Sequence, residues 1–167
     1  MNPPRGVLDA PAIFKVLVEG GVEFVVIGGF AVIAHGYVRA TEDVDICPDP
    51  RPDNLARLAT VLAQLEAKVE GVEEFGADEL PRPDREGLVL GGNFVLSTRH
   101  GGLDILQLVG PDLEYADLAA DAVELHAHGS PIRVCSYPNL IRMKEAAGRP
   151  GDEADLARLR EARGEDG

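Results

Sequence analysis

The stretch VVIGGFAVIAHGYVRATEDVDIC, residues 25–47, limits what this chain can fold into more than any other. It begins with β-branched residues, turns on Gly28 and Gly29, and closes on Asp43 and Asp45, one residue apart. A short continuous apolar run such as VEFVVI is the pattern of a strand covered on both faces. The glycines end that strand, FAVIAHG reads as a short helix closed by Gly36, and DVDIC reads as a second strand. Side chains alternate along a strand, so Asp43 and Asp45 project to one side and Val44 and Ile46 to the other. Two such carboxylates repel each other and persist together when a divalent cation neutralises them, and oxygen ligands of this charge suit Mg²⁺ or Mn²⁺.

A lone D-x-D is a weak signal, because solvated carboxylates on an edge strand give the same pattern. Asp104 strengthens it. This residue interrupts the apolar strand GLDILQL, where an aspartate without a partner would carry a desolvation penalty. If its strand lies beside that of Asp43, three carboxylates converge, a set that can hold two metal ions for in-line displacement at phosphorus. Gly28 and Gly29, lacking Cβ atoms, then let backbone N–H groups approach phosphate oxygens; a tight strand-to-helix turn would explain them as well. A dinucleotide-binding turn is set aside, because GGFAVIAHG does not fit G-x-G-x-x-G and the second strand carries two acids where that fold wants one.

The remaining sequence supplies helices around a mixed sheet, an α+β (α/β mixed-sheet) domain. Asp9 caps a predicted helix with Ile13, Phe14, Leu17 and Val18 on one stripe, ended by Gly20 and Gly21. Asp53 is expected to cap a second, with Leu55, Leu58, Leu62 and Leu65 at helical spacing. The acidic, aperiodic segment 71–87 is expected to be a mobile surface loop. LVLGGNFVLST and GLDILQLV read as strands, the hairpin turning through RHGG, and AVELHAHGSPIRVCS as a strand pair turning at Gly129 and Ser130. Pro138 opens a helix stopped by Gly148, Asp152 caps a last one, and residues 163–167 are expected to fray.

At 167 residues and 45% hydrophobic content, one domain spanning 1–167 is expected. No apolar run approaches the roughly 20 residues of a membrane span, MNPPRGVLDAP has no apolar block like that of a signal peptide, and Cys47 and Cys135 lie outside any CxxC. A cytoplasmic protein is expected. The 29 acidic and 16 basic residues give a formal charge of −13, which repels a polyphosphate backbone over most of the surface.

Taken together, VVIGGFAVIAHGYVRATEDVDI with Asp104 in LDIL resembles the signature of the DNA polymerase β-type nucleotidyltransferase superfamily. The arginine-x-threonine lead-in, Arg39 and Thr41, is similar to small bacterial members: minimal nucleotidyltransferases, antibiotic nucleotidyltransferases, and the AbiEii-like toxin–antitoxin group. LIRMKEAAGRPGDEADLARL, residues 140–159, resembles a C-terminal segment of that last group. The resemblance implies Mg²⁺-dependent transfer of a nucleoside monophosphate from an NTP to an acceptor hydroxyl, releasing pyrophosphate. Asp43, Asp45 and Asp104 would ligate the metals, Asp104 would also help deprotonate the acceptor, and Gly28 and Gly29 would cradle the triphosphate.

Arg39 and Lys144 are the basic candidates for nucleotide binding. Arg39 can reach a phosphate or pair with Asp43 or Glu42, and Thr41 can instead serve only to cap the start of the strand. Lys144 lies beside Ile141 and Ala147, so it either meets an anion or snorkels to solvent. His126 and His128 share a strand face without a third ligand, Cys47 reads as a small buried residue, and Asp152 and Asp155 read as helix-start acids. The acidic surface favours a cationic small molecule or basic protein as acceptor, with a tRNA end left open. A homodimer or partner chain is expected to supply a second wall to so small a cleft. A toxin–antitoxin component acting mainly by partner binding, and a degenerate nucleotide sensor, are the competing readings.

Overall fold

The computed structural model describes residues 6–70 and 81–165. Its first helix, α1 (Ala10–Glu19), is capped by Asp9, whose carboxylate accepts from the Ala12 N–H at 3.1 Å. Ile13, Phe14 and Leu17 form its buried stripe and are at most 1% exposed. Burying each such side chain contributes about 2 kcal/mol. Strand β1 (Phe24–Ile27) follows, buried at all four positions. Helix α2 (Gly28–Ala34) starts directly on the glycine pair, and β2 (Asp43–Pro48) alternates so that Val44 and Ile46 are fully buried.

Helix α3 (Pro52–Gln64) buries Leu55, Leu58, Val61 and Leu62. Asp53 does not cap it: Arg51 holds the cap position and Asp53 lies inside the first turn. Pro52 at the first helical position gives up an N–H that would have had no partner there, so the helix starts two residues early. Strand β3 (Lys68–Val69) and helix α4 (Arg85–Val89) come next. Part of the expected 71–87 loop lies outside the described residues; the rest is partly helical, with Asp84 capping α4 by accepting from Gly87 N–H at 2.9 Å. Leu88 and Val89 therefore belong to a helix rather than a strand. Gly91 and Gly92, at φ of 85° and 95°, reverse the chain before β4 (Asn93–Thr98).

β4 forms the expected hairpin with β5 (Gly101–Leu106). Helix α5 (Tyr115–Ala120) was not apparent from the sequence, being one short turn with a single buried residue, Leu118. β6 (Val123–Ala127) and β7 (Ser130–Val134) form the second hairpin, and α6 (Tyr137–Ala147) and α7 (Pro150–Ala162) close the chain. The expected fraying does not extend to residues 163–165. The Tyr137 hydroxyl donates to Glu165 at 2.8 Å, and the Arg163 guanidinium lies 3.8 Å over the Tyr137 ring. Residues 166 and 167 lie outside the described ones.

The seven strands form one mixed sheet in the order β3-β4-β5-β2-β1-β7-β6. β2 runs antiparallel to β1 and parallel to β5, and β1 runs parallel to β7. The two central pairings fix the site: Asp45 stands opposite Ile27 on one side and Asp104 on the other. A slip of one residue would turn both aspartates of β2 into the core and expel Val44 and Ile46, so the buried face enforces the register. Among the described residues, no helix is long and apolar enough to cross a membrane.

Candidate active site

Asp43, Asp45 and Asp104 meet on one face of the β2–β5 pair. Each offers a carboxylate oxygen, and the three oxygens lie within 4.8 Å of one another. Leu103 and Ile105, flanking Asp104, are fully buried on the opposite face, which explains how an acid is tolerated in GLDIL. One oxygen of Asp45 is buried with no hydrogen-bond partner. Burial, reinforced by the Asp43 and Asp104 carboxylates, pushes the Asp45 carboxyl up to about 8. A buried carboxylate so disfavoured in its charged form is what a cation site looks like without its cation. The donors are all hard oxygens, so the set fits a divalent cation of the Mg²⁺ or Mn²⁺ type.

Gly28 and Gly29 have a role here that does not depend on phosphate. Gly28 has φ of 69°, and a Cβ there would stand 2.0 Å from Asp45 Oδ2. A Cβ on Gly29 would meet the Thr41 hydroxyl at 2.5 Å and an Arg39 nitrogen at 3.5 Å. The pair thus makes room for the side chains of β2 and its lead-in, at the point where the backbone also faces the cleft. Thr41 donates its hydroxyl to the Asp43 carbonyl at 3.1 Å and fixes the start of β2.

Arg39 pairs with neither Asp43 nor Glu42. Its guanidinium grips Asp155 through two hydrogen bonds, at 2.8 and 2.9 Å, from a helix at the far end of the chain. Lys144 is 7% exposed and does not snorkel; it meets Asp152 and Asp155, each at 2.9 Å. Arg149 completes the group, its Nε 2.8 Å from Asp152. Asp152 and Asp155 are therefore more than helix-start acids. Asp152 does accept from the Arg149 backbone N–H at 3.2 Å, yet both acids are at most 4% exposed and bind α6, α7 and the Arg39 loop together. Against the upward push of burial, hydrogen bonds from Arg149 and Lys144 hold Asp152 below the usual carboxylate range, and those from Arg39 and Lys144 do the same for Asp155. The one signal in the sequence was the i, i+3 spacing of these acids, which places them on one face of α7.

These groups wall a cleft of about 660 Å³ over β2, lined by Gly28, Gly29, Tyr37, Arg39, Asp43, Asp45, Lys144 and Arg149, among others. A second hollow of about 380 Å³ adjoins it, sharing Gly28, Asp45, Lys144, Arg149 and Asp152. His126 and His128 bring no metal site: His126 is exposed on β6, and His128 sits in the turn at φ of 50°. Cys47 is buried, as expected.

No family model and no curated protein matches the sequence at a significant level. Solved structures do resemble the fold. ANT(2″)-Ia in complex with adenylyl-2″-tobramycin superposes with a TM-score of 0.56 at 18% identity, covering 88% of this chain and 82% of that one. TM1012, a Thermotoga maritima protein assigned as a nucleotidyltransferase, gives 0.54 at 14% identity over 92% of this chain and 95% of its own. The lincosamide antibiotic adenylyltransferase LnuA, in its lincomycin-bound structure, gives 0.53 at 16% identity, covering 93% and 98%. The chain has the nucleotidyltransferase fold.

Proposed function

We propose that this chain transfers a nucleoside monophosphate from an NTP to an acceptor hydroxyl, with Mg²⁺ or Mn²⁺ held by Asp43, Asp45 and Asp104. The observation that carries the reading is the buried, unpartnered oxygen of Asp45 inside a cluster of three carboxylates. Fold neighbours that include an adenylyltransferase and a complex with an adenylylated antibiotic support it.

A bound divalent cation would neutralise charge on the phosphates and favour ionisation of the acceptor hydroxyl. The chain's own residues position the reactants. Gly28 and Gly29 line the cleft, where their backbone N–H groups would meet phosphate oxygens; Arg39 and Lys144, each ion-paired in its wall, would border the triphosphate, and Thr41 anchors the start of β2. As the acceptor oxygen bonds to the α-phosphorus, the bond to the β-phosphate oxygen breaks, pyrophosphate leaves, and the hydroxyl proton passes to Asp104. NTPs, Mg²⁺ and reduced thiols together make the cytosol the compartment for this chemistry.

Calorimetric titration of each NTP, with and without Mg²⁺, tests the reading on the wild type and on Asp43→Asn/Asp45→Asn. Mg²⁺-dependent binding that the double variant loses supports it. A folded protein that binds no NTP would move the assignment to a partner-binding component of a toxin–antitoxin pair.

A further inference from the structure

In-line displacement requires the attacking oxygen and the leaving pyrophosphate to approach phosphorus from opposite sides. The two hollows share Gly28, Asp45, Lys144, Arg149 and Asp152, and differ in the residues that complete their walls. The larger holds Arg39 and offers Tyr37 as an aromatic face on which a base can stack, so it has the chemistry for a whole nucleoside triphosphate. The smaller is walled by Ile27, Leu106, Leu108, Val109, Leu140 and Met143. Lys144 and Arg149 on its polar edge are both paired with Asp152.

Resting on the transferase reading, we infer that the smaller hollow binds the acceptor, and that the acceptor is a small amphipathic alcohol with an apolar body and little charge. An RNA end would bring its phosphates and polar sugars against the hollow's aliphatic walls, where nothing replaces their hydration. A polycation, although drawn by the net charge of −13, would lose the hydration of its ammonium groups against aliphatic walls. The general attraction of an acidic surface and the local selectivity of this hollow therefore point to different ligands, and contact with the walls decides which one is held. An apolar body fills the hollow and leaves its hydroxyl directed to the carboxylates.

Met143 provides a reporter inside the hollow, since the chain has only one other methionine, Met1. Protein labelled with ¹³C at the methionine methyls is titrated with Mg²⁺ and the α,β-methylene analogue of the NTP that binds, then with n-octyl β-D-glucoside below its micelle concentration. Spermine and the dinucleotide CpA replace the glucoside in parallel titrations. The nucleotide alone should leave the Met143 methyl near its free position, and the glucoside should shift it saturably. Leu108→Asp, at a position 71% exposed and so tolerant of the change, should weaken that response at least tenfold with NTP affinity within twofold of wild type. A full shift on nucleotide alone would assign the hollow to the base and overturn the inference, as would a response to spermine or CpA with the glucoside inert, or no response to any probe. A glucoside shift with no NTP binding by calorimetry would instead overturn the transferase reading, so the two failures are distinguishable.

Discussion

Gly28 and Asp45 are fitted to each other: the position a Cβ would take on the glycine is 2.0 Å from a carboxylate oxygen of the aspartate. Gly28→Ala must therefore move Asp45 and also hold alanine at a φ of 69°. The left-handed backbone alone costs about 1–2 kcal/mol. We expect a loss of that order or more in urea unfolding, and at least a hundredfold loss of metal-dependent activity, whereas Gly151→Ala, with nothing within 4 Å of the added carbon, should leave the fold intact.

Asp45 makes the stability of the metal-free protein depend on pH. Its folded value, about 8, lies above the ordinary 3.8, so the folded state holds a proton that the unfolded chain has released. Stability from this group is complete below about pH 4 and declines as pH rises toward 8. Asp45→Asn removes that slope. Thermal melts in EDTA should show the variant more stable than wild type at pH 8, with the gap closing toward pH 5. Saturating Mg²⁺ at pH 8 should raise the wild-type melting temperature and leave the variant unchanged.

Asp152 and Asp155 act in the opposite sense. Their folded values are depressed, so the stability they contribute is present above the ordinary carboxylate value and is lost as pH falls through the lower one. Removing Asp155 leaves Arg39 without its bidentate partner and Lys144 with one acid in place of two. Breaking a buried pair from one side typically costs about 3–5 kcal/mol. Asp155→Ala should fall in that range by denaturant titration. Arg39→Lys, which keeps the charge but loses the two-pronged grip, should cost less and raise the apparent KM for NTP more than it lowers kcat.

Cys47 and Cys135 should be silent toward thiol reagents. Burial pushes both thiols up to about 12, for Cys135 with help from the Asp121 charge. At pH 8 the native protein should react with Ellman's reagent only at the rate of global opening, and the denatured protein should give two equivalents promptly.

The D-x-D alternation, the glycine turn and the isolated Asp104 were legible because each follows from a local period or a local conflict of polarity. Register then placed Asp104 beside Asp45, as the strand reading required. What could not be read locally was the partner of Arg39, because a guanidinium four residues before Asp43 has nearby acids in sequence while its actual partner comes from α7. Helix α4 was hidden in an acidic stretch whose single turn buries little beyond Leu88, too short for any period to emerge. The acceptor preference from net charge and that from the smaller hollow diverge for a similar reason: a field sums over the surface, and a pocket does not.

The parallel pairing of β2 with β5 has a consequence for how the protein matures. Asp45 and Asp104 lie on strands separated along the chain by α3, β3, α4 and β4, so closing that long loop must precede their meeting. The three-carboxylate cluster should thus be completed late, when the central sheet zips shut, and nascent or partly folded chains should lack whatever cation affinity it confers.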